Sequence, residues 1–145
     1  MIEIEGARLL EDLFGHWPDF HDAELRAVRL EAPGNGPASL ELEIEVAEMS
    51  SEVDDRGFFR DRQRCRATFR FNDVLNVVLD GFRYQNVLNA LEIAELAAKE
   101  REIEGAGWGE RRYRVRLIPI PAFCAVEFLC DSLTVLSATP VARAI

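Results

Sequence analysis

Two stretches of the chain alternate strictly between apolar and polar or charged residues, which is the pattern of a strand with one buried face. In the first, over residues 39–48, the series is Leu40, Leu42, Ile44 and Val46 against Glu41, Glu43 and Glu45. In the second, it is Cys65, Ala67, Phe69 and Phe71 against Arg64, Arg66, Thr68 and Arg70. Opposite charges on neighbouring strands attract each other, so we expect the glutamate strand to pair with the arginine strand.

The remaining patterns predict shorter elements. Apolar residues at helical spacing predict a helix over 6–14, which Gly15 and Pro18 end. A slip of the apolar phase between Ala27 and Val28 predicts a bulge in a strand over 24–31. Asn72-Asp73 predicts a tight turn into the next strand.

Further strand patterns cover residues 74–79, 111–118, 123–130 and 132–138. Residues 84–98 fit a helix or a strand, and residues 50–61 and 99–109 are typical of loops. Short connections between such strands favour antiparallel pairing. We therefore predict one α+β domain over residues 1–145, with a mainly antiparallel, strongly curved β-sheet of six to eight strands and one or two short helices.

The charge of the chain narrows its choice of partners. The 145 residues include 17 basic and 26 acidic side chains, a formal net charge of −9. Residues 1–72 hold 9 of the basic and 16 of the acidic groups, a net of −7. This field repels the phosphates of nucleic acid and attracts a basic protein. The acidic residues that we expect to contact such a partner are Glu41, Glu43, Glu45, Asp54 and Asp55.

Nothing in the sequence predicts export or a membrane partner. The first residues lack the positive and apolar regions of a secretory signal. The longest apolar run, over residues 117–126, is too short to cross a bilayer and contains Pro119 and Pro121. Three cysteines, an odd number, are typical of reduced thiols. We therefore expect a cytoplasmic protein.

Both histidines of the chain lie in one short segment, His16–Glu24, which we call the corner. Its chemically distinctive residues are Trp17, His21, Asp22 and Glu24. A histidine and two acids are possible metal ligands, but their spacing matches no standard metal motif. The alternative is a structural plug, in which aromatic rings fill the core and polar groups bond the backbone. We favour the plug.

No set of residues predicts a catalytic constellation or a cofactor site. Cys65, Cys124 and Cys130 lie in apolar patterns typical of core positions. Gly105, Gly107 and Gly109 precede a strand pattern rather than opening a helix, which argues against a dinucleotide loop. We therefore predict no catalytic residue, no metal and no cofactor.

The corner also carries a resemblance to a known family. Its sequence, with the residues before it, reads Phe14-Gly15-His16-Trp17-Pro18-Asp19-Phe20-His21-Asp22-Ala23-Glu24. It resembles the N-terminal signature of the immunity protein 50 family of bacterial polymorphic toxin systems. Phe71-Asn72-Asp73-Val74, with Leu79, Gly81-Phe82 and Asn86-Val87-Leu88, is similar to the middle of that family. The order of helix, corner, strand series and final strand pair also fits.

This resemblance implies a cytosolic, non-catalytic protein that binds and neutralises a toxin from the same or a neighbouring cell. Two other hypotheses remain open from the residues alone. One is a small metal- or ligand-binding enzyme that uses the His16–Glu24 corner. The other is a homodimeric structural domain that pairs through an open sheet edge.

Overall fold

The computed structural model of the chain describes residues 2–53, 55–57, 59–104 and 111–141, with the side chains of 49–53, 59–62 and 102–104 left aside. Two helices and eight strands follow one another in these residues. They are α1 (Arg8–Phe14), β1 (Glu24–Glu31), β2 (Ser39–Val53), β3 (Phe59–Asn72), β4 (Leu75–Asp80), β5 (Leu88–Glu95), α2 (Ala98–Glu104), β6 (Tyr113–Pro119), β7 (Ala125–Cys130) and β8 (Ser132–Pro140). None of the described helices is long and apolar enough to span a membrane.

The strands form two antiparallel sheets of four strands each. Sheet I has the order β1-β2-β3-β8, and sheet II has the order β4-β7-β6-β5. The α+β class, the antiparallel pairing and the eight strands agree with the sequence prediction. The prediction of one β-sheet is wrong, because the strands divide between two sheets. Alternation shows which face of a strand is buried but not which strands share a sheet.

The apolar faces of both sheets meet in one core. Leu42 and Ile44 of β2 are fully buried, as alternation predicts. Phe71 of β3 lies edge-on to Phe128 of β7, with 4.8 Å between ring centroids, and joins the two sheets. Helix α1 contacts β3 and β8, and its Phe14 is fully buried in the same core.

Two predicted connections cross between the sheets instead of making hairpins. Asn72-Asp73 does lie at a turn, and Asp73 has a φ of 53°, but the turn leads from sheet I into sheet II. Similarly, the two strands predicted over 123–130 and 132–138 are present as β7 and β8, but they belong to different sheets. Two strands joined by a short connection can face each other across a core as readily as they can pair in one sheet.

Three local assignments also change. The ambiguous segment 84–98 contains the strand β5, while the predicted loop over 99–109 begins with helix α2. The side chain of Glu100 accepts a hydrogen bond from the backbone N–H of Ala97 at 3.1 Å, which caps this helix. The predicted loop over 50–61 is shorter than expected, since β2 continues to Val53 and β3 begins at Phe59. The Gly105-Gly107-Gly109 run lies outside the described residues.

Candidate functional site

The corner is built on an aromatic cluster. Gly15 ends α1 with a φ of 82°, and its N–H donates to the carbonyl of Glu11 at 2.7 Å. In the segment that follows, the ring centroid of Trp17 lies at a distance of 5.7 Å from that of Phe20. It lies 6.5 Å from that of Phe69 on β3. Phe20 is buried and Trp17 is half-buried. These contacts are those expected of a plug.

Within the described residues, the side chains of His21 and Asp22 do not satisfy buried backbone groups, although the plug hypothesis expected them to, and the backbone of the corner joins the two sheets instead. His21 and Asp22 are both exposed, and the N–H of His21 donates to Asp19 Oδ1 at 2.8 Å. Asp22 has a φ of 65°, and its N–H donates to the carbonyl of Leu88 on β5 at 2.9 Å. The N–H of Leu88 returns a bond to the carbonyl of Ala23 at 2.8 Å. This exchange joins the edge of sheet I to that of sheet II.

Glu24, the last residue of the corner, is the first residue of β1 and lies on the outer face of sheet I. It lies directly opposite Glu45 of β2. Arg26 Nη2 stands 3.0 Å from Glu24 Oε2 and 2.7 Å from Glu45 Oε2, so one guanidinium serves both carboxylates. The hydrogen bond to Glu45 raises the pKa of Arg26 above its ordinary value. Arg26 occupies this position because the bulge of β1 falls between Leu25 and Ala27, slightly before the predicted slip.

The corner does not assemble a set of metal ligands. His16 Nε2 lies 3.0 Å from Glu48 Oε1, while His21 Nδ1 lies 3.1 Å from Asp22 Oδ2. Glu24 bonds neither of them and belongs to the Arg26 bridge. Among the residues that the structure describes, no group of three or more His, Cys, Asp or Glu side chains is arranged to hold a metal ion.

The predicted pairing of the glutamate strand with the arginine strand is confirmed. β2 and β3 pair with Glu41 opposite Arg70, Glu43 opposite Thr68 and Glu45 opposite Arg66. Glu41 Oε1 lies 3.3 Å from Arg70 Nη1. The other contacts come from further along the strands and from β1: Glu41 also pairs with Arg29, and Glu45 pairs with Arg26 and, at 3.9 Å, with Arg64.

Glu43 stands apart from the other predicted contact residues. It is half-buried, and no hydrogen bond or ion pair joins it to any part of the chain that the structure describes. Its neighbours across the strands are Ala27 and Thr68, which carry no charge. Asp55 is exposed in the turn between β2 and β3, and Asp54 lies outside the described residues.

A groove of about 550 Å³ opens beside Glu43 on the outer face of sheet I. It is lined by Glu43, Arg66, Thr68, Ser137, Thr139, Pro140 and Val141. The sequence analysis did not predict this groove. The signal for it was the threonine that interrupts the arginine series at position 68.

The outer face of sheet II also carries ion pairs between neighbouring strands. Glu127 Oε1 accepts hydrogen bonds from Arg114 and Arg116, each at 3.1 Å. The bond from Arg114 is the main reason why the pKa of Glu127 lies below its ordinary value. The arginines of β6 therefore belong to a paired, solvated strand face.

The cysteines are core residues, as their pattern predicts. Cys65, Cys124 and Cys130 are all buried and free of disulfides. Burial raises the pKa of Cys65 to about 11 and that of Cys130 to about 12, and it also raises the pKa of Cys124. At neutral pH these thiols are protonated, which is the unreactive form.

Arg111 and Asp73 form a buried pair that the sequence analysis did not identify. Arg111 Nη2 lies 2.8 Å from Asp73 Oδ1, and both side chains are at least nine-tenths buried. Burial raises the pKa of Asp73, against the opposing effect of Arg111. The two residues are far apart in sequence, so no local pattern signals their contact.

Comparison with known proteins identifies a family that the chain matches. A family model described as Immunity protein 50 matches residues 6–118, which is more than half of the chain. No curated protein and no solved structure shows a significant match.

Proposed function

The chain belongs to the immunity protein 50 family, and from this premise we propose that it binds a cognate toxin domain and neutralises it without catalysing a reaction. The family match over residues 6–118 is the observation that carries this proposal. It covers the corner, both long strands of sheet I and most of sheet II.

The charge of the chain supports a basic toxin as the partner. A net charge of −9 attracts a cationic domain over distances longer than any single contact. Electrostatic attraction of this kind raises association rates roughly tenfold to a thousandfold at low ionic strength. We propose neither nucleic acid nor a membrane as the target. We place the protein in the cytoplasm, where it would meet an incoming toxin.

The environments of the cysteines and the corner support a role in binding rather than catalysis. The thiols have raised pKa values because they are buried. The corner residues serve an aromatic cluster, a backbone seam and an ion-pair bridge. In this proposal, the protein acts by covering the surface that the toxin needs for its own activity.

The test is co-expression with the toxin domain encoded by the neighbouring gene. We expect cells that produce the toxin domain alone to stop growing, and cells that also produce this protein to grow. Purified protein and toxin domain should form a stable complex in gel filtration. An unrelated protein of similar size and net charge serves as the control for unspecific neutralisation. The proposal is wrong if the toxin domain kills equally with and without this protein.

A further inference from the structure

We propose that Glu43 is the centre of the toxin-docking surface, and that the groove beside it receives a lysine or arginine side chain of a basic toxin domain. This inference rests on the proposed function and adds to it the surface and the chemistry of the contact.

The outer face of sheet I supplies Glu43 with no paired cation among the described residues. Glu41 and Glu45, the neighbours of Glu43 on this face, each contact two arginines. Glu43 contacts none within the described part of the chain, because Ala27 and Thr68 stand opposite it on the two flanking strands. A half-buried carboxylate has lost part of its hydration and gains from a cation brought by a partner.

The groove gives a partner's side chain access to Glu43. The side chains beside Glu43 in its cross-strand row are short, namely Ala27, Thr68 and Ser137. The groove that Thr68 and Ser137 border has a volume of about 550 Å³, which falls within the usual range for sites that admit a ligand or several side chains. A long cationic side chain can therefore reach Glu43 without displacing any part of the sheet.

Charge favours a basic protein as the occupant of the groove. A second copy of this chain would also carry a net charge of −9 and would be repelled. A small anion would meet Glu43, which repels it. A basic protein is attracted by the whole chain, and the exposed guanidinium of Arg66 at the edge of the groove can bond its backbone carbonyls.

The size of the face suits such a contact. Four strands about 4.8 Å apart and eight residues long at about 3.3 Å per residue present a surface of roughly 19 by 26 Å. That is the larger part of the roughly 800 Å² that one partner contributes to a stable interface of standard size. Contacts from the turn that contains Asp55 would supply the remainder at the end of the sheet.

The first experiment removes the carboxylate. Glu43→Gln keeps the shape of the side chain and has no ion pair to lose within the described chain, so it should leave the melting temperature unchanged. We expect it to weaken binding of the neighbouring gene's toxin domain roughly tenfold to a hundredfold at physiological salt, the loss typical of a charge-assisted hydrogen bond. Glu92→Gln is the matched control, because Glu92 is an exposed glutamate of sheet II. It should change the affinity less than twofold.

The second experiment supplies Glu43 with a cation from the chain itself. Thr68→Arg continues the arginine series of β3 and places a guanidinium directly opposite Glu43. We expect this variant to melt at a higher temperature than the wild type and to bind the toxin domain more weakly. A merely structural role for Glu43 would give the first effect without the second.

The outcomes separate this inference from the proposed function. If the wild-type protein neither binds the toxin domain nor protects cells, the proposed function is wrong, and the docking surface with it. If the wild type binds and protects, but Glu43→Gln and Thr68→Arg bind as tightly as it does, the function stands and the docking surface lies elsewhere.

Discussion

Glu24 and Glu45 face each other across β1 and β2, and a single guanidinium, that of Arg26, lies within 3.0 Å of a carboxylate oxygen of each. Like charges directly opposite on neighbouring strands repel. The bulge at Arg26 adds one residue to β1 and so supplies the cation at this point. A signature residue of the corner and a residue of the glutamate strand thus belong to one ion-pair group.

We expect Arg26→Ala to lower the free energy of unfolding by about 1–2 kcal/mol. The variant leaves Glu45, whose side chain is only 9% exposed, facing Glu24 without the cation between them. Within the described residues, Glu45 then keeps only the more distant Arg64, at 3.9 Å. The expected loss lies in the lower part of the usual range for a charged hydrogen bond, because Arg26 itself is 38% exposed and solvent screens its charge. Urea unfolding at pH 7 measures the change.

Arg29→Ala is the control for this prediction. Arg29 also pairs with a glutamate of β2, Glu41, but its side chain is 66% exposed and Glu41 retains Arg70. The expected loss is about 0.5 kcal/mol or less. Equal losses in the two variants would show that the bridge between Glu24 and Glu45 stabilises the fold no more than the exposed pair of Arg29 and Glu41 does.

The corner should behave as a plug. We expect Trp17→Ala to lower the free energy of unfolding by about 2–4 kcal/mol, because it removes ring contacts with Phe20 and Phe69. His21→Ala removes an exposed side chain and should cost about 0.5 kcal/mol or less. Thermal unfolding of both variants measures the difference. A large loss in the His21 variant would contradict this assignment of roles.

Gly6 anchors the N-terminal segment against β8. It has a φ of +76°, and a Cβ at this position would lie 2.3 Å from the backbone oxygen of Val135. Glu5, next to it, exchanges backbone hydrogen bonds with Leu133 and Val135. We expect Gly6→Ala to combine backbone strain with a clash that pushes this segment away from the strand, at a cost of about 2–4 kcal/mol.

Gly34→Ala separates the two contributions. Gly34 has a φ of +86°, but a Cβ there meets nothing within 4 Å. This variant should show the strain alone, about 1 kcal/mol. Chemical unfolding of both variants gives the comparison, and similar losses would mean that the contact with Val135 is readily relieved.

The buried thiols predict a loss of stability at alkaline pH. The folded-state pKa of Cys65 is about 11 and that of Cys130 about 12, both above the ordinary value of 9.0. The folded protein therefore keeps these protons where the unfolded chain releases them. The stabilising contribution is complete below about pH 9. It diminishes by up to about 1.4 kcal/mol per pH unit and thiol as the pH rises towards the folded-state values.

Urea unfolding between pH 8 and pH 10.5 tests this slope. The double variant Cys65→Ala, Cys130→Ala should lose about 1–2 kcal/mol at pH 8 through poorer packing but depend less steeply on pH. Parallel pH profiles for wild type and variant would count against burial as the cause.

The amino-acid sequence by itself determined which side of each long strand faces the core. Alternation is a local property, set by the opposite directions of successive side chains. It identified the buried residues of β2 and β3 and the attraction between their charged faces. The aromatic residues of the corner and the apolar surroundings of the cysteines were equally local, so their burial followed from the residues nearby.

Only the tertiary structure decided how the strands are distributed and which charges remain unpaired. The separation into two sheets depends on crossings at Asp73 and Asp131, which no periodicity reveals. The isolation of Glu43 depends on register, because the bulge at Arg26 and the threonine at position 68 bring two uncharged side chains opposite it. Register and pairing are properties of several segments at once, and a side chain's partner is defined only when those segments have come together.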